Sequence, residues 1–361
     1  MQSTLSSLQP CEGLQLDLQF SQDLLPGGEA HPEVTQLCAA FQWHLGTCTH
    51  TLQPRHLGLR EHLLFIGDLT QQLGPLVVLE DDLLVSPVLT AFLKSALAIA
   101  RQHPELPAIA LFNYRVAESH YGPFQPIDDG RDFYRLQVAP SWGQLWLPEG
   151  WAAFRQWLAA GPRRTPRPEY LNLWSTQSWK RDYTHWLVET GRYALYPKRS
   201  YTTTTGARGT HETHPGLFGQ PLATQSNRID ETLSIETCIP YDAWWEPDAA
   251  WLATQVPALQ EYAFTVDLEG RKEQLNTPWV LTTARRAKRG ALPVLQWSDV
   301  LEPAAMNLLM GIPGEGYGLY PHSALKRALR FGFWRWRRMQ SLRKALLWAG
   351  LREMMQDFLR L

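Results

Sequence analysis

The chain has 361 residues, of which 44% are hydrophobic and 19% are charged, and its formal net charge at neutral pH is −1. These values are typical of an ordered globular protein with one large domain and an appendage, and they exclude wholesale disorder. The four cysteines show no paired metal-ligand spacing, and the sequence contains neither a signal peptide nor an apolar run of about 18 residues. We therefore expect a cytoplasmic protein.

Positive charge is concentrated at the carboxyl terminus. Residues 322–361 hold ten Lys and Arg against two acidic residues, a net charge of +8, so the rest of the chain carries −9. Aromatic residues such as Phe331 and Trp334 are mixed with the basic ones, which is typical of a helix lying in a membrane interface. We expect 321–361 to be a basic amphipathic helix on the inner face of the membrane. Docking on a partner is the alternative; no nucleic-acid-binding motif accompanies the tail.

The patterns along the chain predict an α/β protein in which helices and strands alternate. In chain order, we expect the end of a helix at 3–9, a strand at 14–20, a helix at 33–42, a helix ending near 72, a strand at 76–79, a helix at 88–103, strands at 108–112, 133–138 and 192–197, a helix at 249–261, and strands at 279–283 and 292–297. The pattern predicts that the chain starts inside a βαβ unit. Because such a unit needs about 30 residues, we expect roughly 20 residues to be missing before Met1.

Three adjacent carboxylates, Glu80, Asp81 and Asp82, follow the apolar run 76–79 directly. An apolar run without alternation predicts a strand covered on both faces. Ligands of open α/β sheets bind at the carboxyl ends of strands, and Mg²⁺ or Mn²⁺ is held by one or two carboxylates together with substrate phosphates. The sequence therefore favours a metal–diphosphate site, and the alternative is a solvated acidic turn before the helix that begins near Pro87.

Further motifs follow the acidic one in order: Ser141-Trp142-Gly143, Gln177-Ser178-Trp179, Tyr196-Pro197 and Gly206-Ala-Arg-Gly-Thr-His211. Together with the DXD-type segment 80–82, they resemble the motif series of GT-A glycosyltransferases, in particular N-acetylglucosaminyltransferase I and related bacterial glycosyltransferases. The resemblance covers residues 1–215. It implies a GT-A-like, mixed but mostly parallel sheet with flanking helices. It also implies transfer of a sugar from a nucleoside-diphosphate donor to a glycan or glycolipid, with inversion. The sequence assigns no function to 216–320, and an accessory region that caps the site and selects the acceptor is our expectation there.

The resemblance also implies roles for individual residues. Asp82 would bind Mn²⁺ or Mg²⁺ with assistance from His211, Glu80 and Asp81 would lie closer to the nucleotide, Arg55 and Arg60 would face the donor diphosphate, and Trp142 and Gly143 would run beside the donor sugar. Guanidinium groups suit phosphate oxygens, glycine permits close backbone approach, and tryptophan offers a stacking face. The alternatives are solvated arginines, a packing tryptophan and a polar loop histidine. Arg208 and the two glycines beside it are a weaker candidate for cradling the diphosphate, and His214 forms only a weak H-x-x-H pair with His211.

The position of the catalytic base departs from the family pattern. An inverting transferase needs a carboxylate to deprotonate the acceptor hydroxyl, and the family has an Asp where this chain has Gln177 and Ser178, neither of which is a base at neutral pH. Asp182, one helical turn after Ser178, is the candidate base, and Glu169 is a weaker one. A relative that binds glycan or membrane without catalysis is the alternative function. A nucleotidyltransferase would share the metal chemistry but not the motif series.

Overall fold

The computed structural model describes residues 1–161, 168–205 and 218–329. These residues form nine α-helices: α1 (Gln2–Leu8), α2 (Pro32–Ala40), α3 (Gly58–Asp68), α4 (Thr70–Leu73), α5 (Leu89–Gln102), α6 (Pro148–Ala159), α7 (Trp179–Thr190), α8 (Ala249–Gln255) and α9 (Met306–Leu309). Short 3-10 helices are formed by Glu169–Leu173, Ile235–Thr237, Pro257–Leu259, Ala284–Arg286 and His322–Ala324.

The same residues form sixteen strands. They are β1 (Leu18–Gln22), β2 (Cys48–Leu52), β3 (Leu76–Val78), β4 (Leu83–Val85), β5 (Ala108–Ala110), β6 (Val116–Ala117), β7 (Gly122–Pro123), β8 (Phe133–Leu136), β9 (Gln144–Trp146), β10 (Ala194–Pro197), β11 (Thr202–Thr204), β12 (Pro240–Tyr241), β13 (Phe264–Asp267), β14 (Trp279–Thr283), β15 (Leu295–Trp297) and β16 (Tyr317–Pro321).

The central sheet has six strands in the order β12-β8-β10-β5-β9-β3. β12 runs parallel to β8 and β10 parallel to β5, whereas the pairings β8–β10, β5–β9 and β9–β3 are antiparallel. The protein is therefore a mixed α/β protein, and the expectation of a mostly parallel sheet was wrong. The apolar pattern of 76–79 indicated cover on both faces; the run contacts hydrophobic clusters on both faces, with Val78 buried and the other three residues half-buried. Such cover carries no information about the direction of a neighbouring strand.

Helices cover both faces of this sheet. On one face, α5 packs Leu89, Phe92 and Ile99 against Ile109 of β5. On the other face, aromatic side chains of α6 and α7 pack with Trp146 of β9; this cluster includes Trp151, Phe154, Tyr183 and Trp186. Trp146, Trp151 and Phe154 are fully buried in this cluster, and Trp146 lies in β9.

A second sheet, with the strand order β13-β14-β16-β15, packs against the first. One hydrophobic cluster joins Tyr134 and Leu136 of the central sheet to Leu281 and Leu319 of the second sheet. β12, which lies within 216–320, forms the edge of the central sheet. The region after residue 216 is therefore built into the same core as the preceding residues.

Two smaller features lie at the ends of the chain. β1 and β2 pair in parallel as a separate two-stranded sheet, with α2 between them in sequence. The described start of the predicted tail, 321–329, has one short 3-10 helix, and the predicted amphipathic helix lies outside the described residues from 330 onward. No helix within the described ranges combines the length and the apolar character required to cross a bilayer.

Candidate functional site

The three carboxylates lie in the turn between β3 and β4, and tertiary hydrogen bonds hold this turn. The backbone oxygen of Asp82 accepts the N–H of Thr205 at 2.8 Å, and that of Asp81 accepts the hydroxyl of Thr4 at 2.6 Å. Glu80 and Asp82 are half-buried, whereas Asp81 is exposed. Since β4 also pairs with β11, the turn is attached on two sides and is not a loose acidic loop.

Burial and mutual repulsion raise the affinity of this turn for positive charge. Desolvation by burial and the charge of Asp82 raise the pKa of Glu80 to about 7, opposed by the charge of Lys180. Burial and the charge of Asp81 also raise the pKa of Asp82. Carboxylates that are costly to ionise beside each other are stabilised when a cation binds between them.

The donor set fits a hard divalent cation that keeps other ligands. Carboxylate oxygens suit Mg²⁺ and Mn²⁺, which need one or two protein carboxylates when phosphates supply the rest. Within the described part of the chain, three potential ligand atoms lie within 4.8 Å of one another at a different place, formed by His103, Glu105 and Glu236. Among the described residues, the side chains of 80–82 do not form such a group, so a cation bound there would need phosphate or water oxygens as further ligands.

The loop Ser141–Gly143 is fixed beside the acidic turn. Gly143 has φ +90°, and a Cβ at this position would lie 2.8 Å from the side chain of Thr202 in β11. The Thr202 hydroxyl donates to the backbone oxygen of Trp142 at 2.5 Å, and the backbone oxygen of Gly143 accepts the N–H of Leu111 at 3.0 Å. Because β11 pairs with β4, the loop and the acidic turn share one strand as their support.

The Trp142 ring belongs to an aromatic cluster. It stacks on Phe218 with ring centroids 4.9 Å apart and contacts the rings of Phe112 and Tyr114 at 4.9 Å and 5.6 Å. The Lys180 ammonium lies 4.6 Å from the Trp142 ring centroid. The ring is thus held by protein neighbours, and its predicted role beside a donor sugar stays a prediction.

Lys180 is the residue that connects the site, and no sequence pattern predicted it. Its ammonium donates to Glu118 Oε1 at 2.5 Å, to Ser141 Oγ at 2.9 Å and to Tyr114 Oη at 3.3 Å. The side chains of Lys180 and Glu118 are only 12% and 9% exposed. Lys180 follows the motif Gln177-Ser178-Trp179 directly, but Glu118 lies in a short turn between β6 and β7 that carries no recognisable pattern.

Three of the described motif segments, 80–82, 141–143 and the start of α7, therefore meet at β11. The acidic turn binds Thr205, β11 binds the Trp142–Gly143 loop, and Lys180 of α7 binds Ser141 and acts on the pKa of Glu80. Segments that are far apart in sequence converge at the end of β3.

The candidate base Asp182 and the candidate phosphate ligand Arg60 bind each other. Arg60 NH2 donates to Asp182 Oδ2 at 2.7 Å, and both side chains are about one quarter exposed, at 26% and 25%. This ion pair joins α3 to α7. The other candidate arginine, Arg55, pairs with Glu61 at the surface at 2.8 Å.

The remaining candidates are placed as follows. Glu169 accepts the backbone N–H of Gln274 at 2.8 Å and so joins the 3-10 helix 169–173 to the region that follows β13. Gln177 is exposed, and Ser178 is the N-cap residue of α7 without a side-chain capping bond. His211, Arg208 and His214 lie outside the described residues; Thr205, the last described residue before them, is bound to Asp82.

Comparisons with known proteins leave the family open. No protein-family model matches the chain. No curated protein matches it significantly.

Proposed function

We propose that the protein is a glycosyltransferase that uses a nucleoside-diphosphate sugar and Mn²⁺ or Mg²⁺ and transfers the sugar to a glycan or glycolipid acceptor with inversion. The observation that supports this proposal is the convergence of the acidic turn, the Trp142–Gly143 loop, the start of α7 and β11 at one place. An acidic turn of accidental origin gives no reason for these segments to meet.

In this proposal, each residue has a role that follows from its chemistry. Asp82, with Glu80 and Asp81 beside it, would hold the cation, which when bound supplies positive charge to the donor diphosphate. Lys180 fixes the Ser141–Gly143 loop through Ser141 and lowers the cost of ionising Glu80. Two carboxylates are candidates for proton transfer: Asp182, which is bound to Arg60, and Glu118, which is bound to Lys180.

These two ion pairs also favour a second candidate function. A base must accept a proton from the acceptor hydroxyl, and each of the two carboxylates already binds a cationic side chain. A protein that binds nucleotide sugar or glycan without transferring sugar has the same acidic turn and needs no accessible base. Attachment to a membrane through 321–361 and a cytoplasmic location remain predictions from the sequence.

Calorimetry with a panel of nucleotide sugars and Mn²⁺ tests the proposal. We expect at least one nucleotide sugar to bind only with Mn²⁺, and we expect Asp82→Asn to lose this binding because the amide removes the negative charge and preserves the shape. Asp128→Asn, at an exposed aspartate outside the site, is the matched control and should bind as the wild type does. Absence of metal-dependent binding by the wild type would contradict the proposal. Binding without release of nucleoside diphosphate, across a panel of acceptors, would support the second candidate.

A further inference from the structure

A cavity of about 210 Å³ lies at the carboxyl ends of β5 and β10. β5 and β10 are parallel neighbours in the central sheet. The residues that follow them, Asn113 and Arg115 after β5 and 198–200 after β10, form two walls, and 220–223 form the third. In open α/β sheets this edge is where ligands bind.

The walls of this cavity are rich in positive charge. Arg115, Lys198 and Arg199 line it together. Lys198 forms an ion pair with Asp129, and Arg199 donates to the neutral amide oxygen of Asn227 at 2.9 Å.

Acidic groups balance only part of the positive charge at the cavity. Within the described ranges, neither Arg115 nor Arg199 forms an ion pair with a carboxylate. Asp132 is the further acidic group that interacts with Lys198 and Arg199, and its pKa is raised by burial despite these cations. Both arginines are exposed at the wall of the cavity, and no ion pair of the described residues neutralises them.

Polar groups of the cavity complement an anion as well. Ser200 Oγ accepts the backbone N–H of Asn113 at 2.9 Å, so the hydroxyl keeps its own proton to donate. Guanidinium groups bind carboxylate and phosphate oxygens through paired N–H donors. The volume is below the roughly 300–1,000 Å³ of sites for drug-sized ligands, so the cavity suits one small group and not a whole nucleotide.

The cavity adjoins the candidate site. Asn113 lies between Phe112 and Tyr114, whose rings contact Trp142. The backbone N–H of Gln220 donates to Thr203 of β11, the strand that supports the acidic turn. A ligand that spans both places would have its anionic group in the cavity and its neutral part toward Trp142.

We propose that this cavity binds the anionic group, a carboxylate or a phosphate, of a sugar-containing acceptor. The role of this ligand as an acceptor rests on the proposed function. The binding of an anionic group does not rest on it, because Arg115 and Arg199 line the cavity and not the acidic turn.

The test is a binding titration of the full chain, without nucleotide or metal, with glucuronate, glucose 6-phosphate and neutral glucose. We expect one or both acidic sugars to bind about ten-fold or more tightly than glucose, because hydrogen bonds to charged groups are the stronger ones. A preference for glucuronate would identify a carboxylate ligand, and a preference for glucose 6-phosphate a phosphate ligand. The double variant Arg115→Gln/Arg199→Gln should lose the preference, while Arg101→Gln, at an exposed arginine of α5, should keep it.

Two results would overturn the inference: equal binding of acidic and neutral sugars by the wild type, or an acidic preference that persists in the double variant. Thermal unfolding of each variant shows that the fold is intact. Asp82→Asn should not change the binding of acidic sugars. Loss of nucleotide-sugar binding with retained binding of acidic sugars would therefore reject the proposed function and leave the cavity site standing.

Discussion

At the scale of single residues, the ion pair of Lys180 and Glu118 determines how the site is held together. The two residues are 62 positions apart in sequence and almost fully buried. Removing one member of a buried pair leaves the other charge without compensation, which costs more than removing both. The site therefore depends on a pair that lies outside the acidic motif itself.

We expect Lys180→Met to lower the free energy of unfolding by about 3 kcal/mol, because it leaves the Glu118 carboxylate buried without its cation. The double variant Lys180→Met/Glu118→Gln should recover most of this loss. Urea denaturation followed by tryptophan fluorescence measures both. A loss for Lys180→Met that the double variant leaves unchanged would show that packing, and not charge, is what Lys180 contributes.

The sequence predicted the acidic residues but not the cation beside them. Three adjacent carboxylates after an apolar strand form a local pattern, so Glu80, Asp81 and Asp82 could be chosen from sequence alone. The pairs Lys180–Glu118 and Arg60–Asp182 are separated by 62 and 122 positions and depend on how helices and turns pack. A local sequence pattern cannot show a contact between residues so far apart in the chain. The ion pair of Arg60 and Asp182 was therefore not predicted, and the two residues were given separate roles.

At the scale of elements, the Ser141–Gly143 loop is positioned by a glycine that no other residue replaces without cost. Its φ of +90° disfavours residues that carry a Cβ, and the added carbon would press on Thr202, which is fully buried and stiff at χ1. The loop, β11 and the acidic turn are consequently held in one arrangement.

Gly143→Ala should destabilise the protein more than Gly130→Ala does. Gly130 also has a positive φ, but a Cβ there would meet nothing within 4 Å, so we expect a cost of about 1–2 kcal/mol from the backbone alone. At Gly143 the clash with Thr202 adds about 1–3 kcal/mol. Thermal and urea unfolding of the two variants make the comparison. Equal losses would mean that the contact with Thr202 does not fix the loop.

Elements with a long pattern could be predicted, and short ones could not. The helix at 88–103 is observed as α5 and the strand at 133–138 as β8, within a few residues. β4 and β11 have three residues each, too few to show alternation, yet they attach the acidic turn to the Trp142–Gly143 loop. The directions of β8 and β9 follow from chain topology, which single-strand patterns do not contain.

At the scale of the whole molecule, one hydrophobic cluster and one ionic network join the two large sheets. Lys272, which follows β13, binds both Asp242 and Glu246 beside β12, and the Glu246 contact measures 2.9 Å. The three side chains sit where the edge of the central sheet meets the second sheet. We therefore expect the two sheets to unfold together.

Lys272→Met should lower the free energy of unfolding by roughly 3–5 kcal/mol, since it leaves the buried carboxylate of Glu246 without its cationic partner. The unfolding transition should remain single because the shared hydrophobic cluster is untouched. Lys94→Met, at an exposed position of α5, is the matched control and should change stability little. Two separate transitions in calorimetry would show that the sheets are independent units.

The central claim is that the acidic turn holds a divalent cation together with a nucleoside diphosphate. Anomalous diffraction from crystals grown with Mn²⁺ and a nucleoside diphosphate tests it most directly. We predict Mn²⁺ about 2.1 Å from a carboxylate oxygen of Asp82, with a phosphate oxygen completing its coordination. Mn²⁺ found only at His103, Glu105 and Glu236, or at no position near residues 80–82, would contradict the account.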